Sequence, residues 1–377
     1  MTLLGITAQE LNALIVAKEP LFLLDVRNED DFQDWKIDGG NTVHLNVPYF
    51  ELIDGVDSIM GQIPSDRKIV VVCAKEGSSV LIAEYLAEKG MDVSYLVGGM
   101  KSWSEYLYPV AAFQDENIKV YQFIRVGKGC LSYMILSGNE ALVVDPSRFI
   151  DVYKKVAEEE GVSITHIVDS HLHADHISGG HDLALQTGAK YYVMKSEGAI
   201  FDFEPLEYYE RINFEKVHLE VLAVKTPGHT PGSVSFFVND RLLFSGDTIF
   251  VSGLGRPDLG GKAREWARDL YDTVYSKVSR FADDVLVLPA HYGSFNEEIN
   301  EEGYIGNTLG NIRKNNEIME GKSIEEFVEE VAKSASIETP PNFEDIIAIN
   351  KGIRMATSEE MQEMEIGPNR CAVHHTH

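Results

Sequence analysis

SHLHADHISGG, residues 170–180, places His171, His173, Asp175 and His176 within six consecutive positions. Imidazole and carboxylate at this density are the ligand types of divalent zinc or ferrous iron. The preceding ITHIVDS, residues 164–170, reads as a strand, so His171 and His173 alternate at its end and turn their rings to one side. Asp175 and His176 follow where the chain is expected to turn into a helix. Three more donors sit in the same kind of setting: His229 in KTPGHTPGS, Asp247 in LLFSGDTIF and His291 in VLVLPAHYGS. Each follows a β-rich apolar run and stands beside glycine or proline, where a turn can present one side chain. His166, His181 and His218 lack that setting and are read as structural.

Around this cluster the chain alternates strands and helices. KVYQFIRVG, CLSYMILSG and ALVVDP read as consecutive strands separated by glycine turns, followed by a helix over 150–160. Alternation continues to about residue 310, and the tail from 311 is helical and polar, with a loop at ETPPNF (338–343). Upstream, LFLLDV (21–26), KIVVVC (68–73) and DVSYLV (92–97) read as buried strands, with a helix over 78–90 between the last two. That rhythm predicts a parallel sheet with right-handed crossovers. YPVAAFQDENIK (108–119) carries a proline and a polar cluster, the mark of a linker. The expected organisation is a first domain over 1–108, a linker over 109–117, a second domain over 118–310 and its helical extension over 311–377.

Length and composition narrow the function. A chain of 377 residues with 44% apolar side chains can fill more than one core. Its net charge of −27 argues against nucleic acid and against anionic membrane surfaces as partners. The N-terminal segment has no basic region before its apolar residues, and Thr7 with Glu10 forms a capping box for a helix, so a signal peptide is not expected. No run approaches the ~18 apolar residues of a membrane span. Three scattered cysteines, Cys73, Cys130 and Cys371, point to a reducing cytoplasm.

HLHADH together with His229, Asp247 and His291 resembles the metallo-β-lactamase superfamily over roughly residues 118–310. The resemblance implies an αβ/βα four-layer sandwich with the site at one edge of the paired sheets. It leaves the reaction open. All seven ligands together could hold two zinc ions bridged by Asp247 and hydroxide, as in glyoxalase II. His171, His229 and Asp247 alone make two histidines and one carboxylate, a facial triad that holds one Fe(II) with positions left open. By resemblance to persulfide dioxygenases, His173, Asp175, His176 and His291 would then surround the metal without ligating it, or serve as second-metal positions. SGLGRPDLGG (252–261) is similar to the Gly-Arg-x-Asp segment of persulfide dioxygenases, which makes Arg256 a candidate clamp for an anionic substrate.

The first domain resembles a rhodanese through LLDVRNEDDF (23–32), VVCAKEGSS (71–79) and LVGGMKSW (96–103), implying a doubly wound parallel sheet. Cys73 ends a strand, and the loop after it enters a helix at Ser78 or Ser79. Backbone N–H groups curl around the sulfur and the helix start adds positive potential, which favours a persulfide anion there. Lys75 is the basic residue of this loop, opposed by Glu76, so a doubly charged thiosulfate is expected to bind less well than a thiol persulfide. WKIDGG (35–40) replaces the usual turn of such domains and is expected to alter docking rather than chemistry.

The whole chain looks like a persulfide dioxygenase–rhodanese fusion. That resemblance implies oxidation of a low-molecular-weight thiol persulfide (of glutathione, coenzyme A or bacillithiol) by dioxygen at one Fe(II) per chain, giving sulfite and thiol, with Cys73, Lys75 and Arg256 as candidate catalytic residues. A homo-oligomer is expected. The rival readings are a dinuclear zinc thioester hydrolase with an accessory rhodanese, and a sulfur carrier with a structural metal. Cys130 is read as a small core residue, Tyr292 receives no role, and the terminal Cys371, His374, His375 and His377 lack a rigid setting for metal.

Overall fold

The computed structural model describes residues 3–222, 232–255, 263–334 and 342–369. The chain divides into two compact units, one of residues 1–106 with 125–128 and 366–368, the other of 107–124, 129–365 and 369–377. Among the described residues no helix is long and apolar enough to cross a membrane.

The first unit is built on five strands, β1 (Leu4–Ile6), β2 (Leu21–Asp25), β3 (Thr42–Asn46), β4 (Lys68–Val72) and β5 (Val93–Leu96), in the order β1-β5-β4-β2-β3. All pairings are parallel. Every residue of β2 is buried, as expected for a central parallel strand covered on both faces. Thr7 caps the helix Ala8–Val16 through the reciprocal bonds with Glu10 expected of a capping box. The Asp-Val-Arg at the end of β2 is a buried staple. Arg27 grips Asp25 at 2.7–3.1 Å and donates to the Trp35 carbonyl at 2.6 Å, fixing the turn that follows.

The second unit holds two sheets. The seven-stranded sheet runs β12-β11-β10-β9-β8-β7-β6, comprising β6 (Leu107–Gln114), β7 (Lys119–Arg125), β8 (Cys130–Ser137), β9 (Glu140–Val144), β10 (Ser163–Val168), β11 (Lys190–Val193) and β12 (Glu204–Pro205). The six-stranded sheet runs in sequence order through β13 (Arg211–Phe214), β14 (Val217–Leu222), β15 (Ser235–Val238), β16 (Leu242–Gly246), β17 (Leu286–Pro289) and β18 (Asn307–Thr308). Both sheets mix parallel and antiparallel pairs. One core lies between the first sheet and the helix Ile150–Glu160, around Phe123, Tyr153 and Ile167. Another lies between the second sheet and the helices Ala263–Asp272 and Ile324–Ser334, around Val287, Leu309 and Phe327.

The stretch 109–117, expected as a linker, is largely strand. β6 occupies the end of the seven-stranded sheet, with Leu107 and Ala112 buried and Pro109 exposed. An edge strand tolerates proline because one side of its backbone needs no partner, so the proline that suggested a break marks an edge instead.

Candidate metal centre and cysteine loop

The strand that delivers the histidines stops at Val168, and residues 169–179 form an irregular loop before the helix Gly180–Thr187 begins. His171 and His173 therefore stand on a loop rather than a strand end, and Asp175 and His176 precede the helix rather than enter it. Long-range hydrogen bonds hold this backbone in place of regular structure. Asp145, at φ +51° just beyond β9, accepts from the Ser170 N–H at 2.6 Å and from its hydroxyl at 2.9 Å. Ser170 Oγ lies 2.9 Å from His171 Nδ1 and sets that ring's rotation.

The opposite wall comes from the second sheet. Asp247 follows β16 directly, and His291 lies two residues beyond β17. Because β16 and β17 are parallel neighbours, both side chains emerge at the same edge. Two glycines allow the backbone to crowd there. At Gly246, φ +55°, a Cβ would meet Ser170 Oγ at 3.0 Å; at Gly255 it would lie 1.8 Å from the Asp247 carbonyl oxygen.

His171, His173, Asp175, His176, Asp247 and His291 converge in one buried cluster, all at most 8% exposed. His171 Nε2 lies 3.5 Å from Asp247 Oδ2. Two ligands about 2.1 Å from one metal at roughly tetrahedral angles stand about 3.4 Å apart, so this pair has the spacing of neighbouring ligands. His291 is committed on both sides, with Nδ1 2.6 Å from Asp247 and Nε2 3.0 Å from Asp175. Neither ring nitrogen of His173 makes a hydrogen bond among the described residues, and its Nε2 faces Asp145 at 3.4 Å. A buried imidazole with nothing to bond is costly unless a cation takes a lone pair. The residues present thus fit a metal, and His173, expected around the metal or at a second-metal position, lies with Asp145 and Asp169 in a buried group whose donor atoms all fall within 4.8 Å of one another. His229 and Arg256 lie outside the described residues, as do Cys371, His374, His375 and His377.

The charges of the cluster follow from burial and pairing. Burial and the neighbouring His176 push the His173 imidazole down to about 3. Burial opposes the charged form of His176 as well, but Cys130 and Asp175 beside it carry that ring up to about 10. Burial alone would raise the Asp175 carboxyl, yet His291 and His176 hold it well below the usual carboxylate range. The cluster is a network of interlocked opposite charges, and removing one member strands another.

Three further residues belong here that the sequence did not disclose. Cys130, the first residue of β8, is buried as expected of a core residue, but its Sγ lies 3.4 Å from Asp175 Oδ2 and 3.6 Å from His176 Nδ1. Asn350, in the helix Phe343–Asn350, donates to the carbonyls of His173 and His176 at 2.8 and 2.9 Å and accepts from the Ser178 N–H at 3.0 Å. Glu365, fully buried at the end of the helix Ser358–Glu365, accepts from the Ile177 N–H and from Arg148 Nε, both at 2.7 Å. The C-terminal helices thus hold the histidine loop by its backbone. An Asn and a Glu in a polar tail give no sequence signal of that task.

In the first unit, Cys73 follows β4 and is 5% exposed. The Glu76 N–H donates to its sulfur at 3.1 Å, and the thiol donates to Ser79 Oγ at 3.2 Å. The helix Gly77–Glu88 starts at this loop, so its N-terminal amides lie on the side of the sulfur. Lys75 is exposed and makes no ion pair with Glu76 among the described residues; the Glu76 carboxylate accepts from the Gly98 N–H at 2.7 Å instead.

Residues 125–291 match the metallo-beta-lactamase superfamily, and residues 7–106 match the rhodanese-like domain. The mitochondrial persulfide dioxygenase ETHE1 of Homo sapiens is 34% identical over 169 residues, 43% of this chain and 63% of that protein, so the match spans less than two thirds of that relative. A hydroxyacylglutathione hydrolase of Methylobacillus flagellatus is 29% identical over 150 residues, 40% of this chain and 54% of that protein. The crystal structure of ETHE1 from Myxococcus xanthus superposes with a TM-score of 0.53 at 26% identity, over 62% of this chain and 98% of that one. The chain joins a rhodanese-like domain to a domain of the metallo-beta-lactamase superfamily, related to persulfide dioxygenases and to hydroxyacylglutathione hydrolases.

Proposed function

We propose that the second unit oxidises a low-molecular-weight thiol persulfide with dioxygen at one Fe(II), and that Cys73 of the first unit carries sulfane sulfur to or from that chemistry. One persulfide, one dioxygen and one water give one thiol, one sulfite and two protons. Asp247 and the imidazoles of His171 and His229 would hold the iron, with His173, Asp175, His176 and His291 around it. Bound there, the iron would supply open positions where the terminal sulfur and dioxygen can meet.

The observation that carries this reading is the state of His291. Its two ring nitrogens lie 2.6 Å from Asp247 and 3.0 Å from Asp175, which supports a role for His291 in orienting those carboxylates. Ser170 turns His171 toward Asp247, and Arg256 would meet the anionic end of the substrate. The likeness to ETHE1 proteins supports the substrate class.

The test is oxygen uptake by the anaerobically iron-loaded chain on addition of glutathione or coenzyme A persulfide. Uptake matched by sulfite or thiosulfate is expected. A second reading has its own observation: Cys130, Asp175, His176 and His291 place donor atoms all within 4.8 Å of one another, room for another ion. A chain isolated with two zinc ions, hydrolysing thioesters and consuming no oxygen, would replace the dioxygenase with the hydrolase.

A further inference from the structure

Glu76 holds a backbone conformation that side chains rarely adopt, φ +123° and ψ −42°. That region is open to glycine and strained for a residue with a Cβ. A glycine stands one position later, at Gly77, where φ is not positive. The strain therefore falls on the residue with a carboxylate.

The contacts of Glu76 surround the thiol. Its N–H donates to Cys73 Sγ at 3.1 Å. Its carbonyl accepts at 2.8 Å from the Ser79 hydroxyl, the same hydroxyl that accepts from the Cys73 thiol. Its carboxylate accepts at 2.7 Å from the N–H of Gly98, itself at φ +71°. The segment after Gly98 closes on the cysteine loop from the other side, with Met100 N–H donating to the Cys73 carbonyl at 2.8 Å and Lys101 N–H to the Ala74 carbonyl at 3.1 Å. Gly99 approaches so closely that a Cβ would lie 2.3 Å from the Cys73 carbonyl oxygen. The two loops are laced together, and the Glu76 side chain is a tie between them.

We propose that Glu76 is a positioning residue for sulfur transfer at Cys73. Its carboxylate, anchored on Gly98, holds the strained peptide that aims an N–H at the sulfur. This rests on the reading of Cys73 as the sulfur carrier. In that step the Cys73 thiolate attacks the outer sulfur of a thiol persulfide. A Cys73 Sγ–S bond forms as the donor S–S bond breaks, and the donor leaves as a thiolate with the electron pair. The aimed N–H stabilises the sulfur anion before and after transfer.

The proposal predicts an inverted order of truncation. Glu76→Gln keeps an acceptor for Gly98. Glu76→Ala keeps the strain and loses the anchor. Glu76→Gly loses both. The test uses the full chain and two readouts. One is the pH profile of iodoacetamide alkylation, followed on the peptide containing Cys73. The other is thiocyanate formation from glutathione persulfide and cyanide. Expected are a Gln variant within about threefold of the parent, an Ala variant about tenfold slower with its alkylation profile moved to higher pH, and a Gly variant between them. Thermal unfolding of each variant separates a local effect from loss of the fold. A Gly variant no better than Ala, or an Ala variant equal to Gln, overturns the proposal. Sulfur transfer surviving in Cys73→Ser would overturn the carrier reading instead, while the alkylation order, which needs no sulfur donor, still judges Glu76.

Discussion

The Cys73 loop and the histidine cluster stabilise reactive groups with different materials. Around Cys73 the partners are local, the Glu76 N–H that donates to the sulfur and the Ser79 hydroxyl that accepts from the thiol, with the loop tied from outside by the Gly98 segment. Around Asp247 they are side chains gathered from loops after β10, β16 and β17, far apart in sequence. A sulfur anion is large and diffuse, and several weak amide donors suit it. A divalent cation needs lone pairs at fixed spacing, which only side chains on a rigid frame supply. The first kind of site can be written into one stretch of chain. The second cannot.

That contrast can be broken where it predicts most. Replacing Asp247 by Ala removes a carboxylate facing both His171 and His291, and bound iron should fall below a tenth of the parent value, with oxygen uptake lost, by metal analysis and an oxygen electrode. His171→Ala and His173→Ala, compared for iron content, decide which imidazole is the ligand; the one that only supports should lose about 10–100-fold in affinity, and the ligand more. Cys73→Ser should abolish sulfur transfer and leave oxygen uptake with added persulfide within about twofold, since the loops share no residue. Loss of both activities would mean the two sites are not separable.

The C-terminal clamp should give an intermediate effect. Asn350→Ala leaves two carbonyls and one N–H of the histidine loop without partners, which should cost about 1–3 kcal/mol in stability and about tenfold in metal affinity. Calorimetry and a metal titration check both. Unchanged metal affinity would show that the histidine loop holds its shape alone. The smallest effect is expected of Cys130→Ser, which keeps a small polar atom beside Asp175 and His176. Iron content should change less than twofold, whereas under the two-metal reading the second ion would be lost selectively.

Both fold classes were legible in the sequence, and so were the donor residues of the candidate sites. Buried strands such as Leu21–Asp25 declare themselves by continuous hydrophobicity, the Thr7 cap by its spacing to Glu10, and the Cys73 loop by adjacency, because all of these are local. The histidine cluster was legible as a set of donors for the same reason. Tertiary structure alone decided how those donors divide. It pairs His291 with two carboxylates, leaves His173 facing Asp145, brings Cys130 to Asp175, and sets Asn350 under a loop some 170 residues upstream. It also makes an edge strand of Leu107–Gln114, since whether a proline ends a strand or borders a sheet depends on what lies beside it. The physical reason is common to all of them. Spacing along the chain fixes which side chains are available, but ligation and hydrogen bonding act over about 2–3.5 Å, and at that range only packing of distant segments chooses the partners.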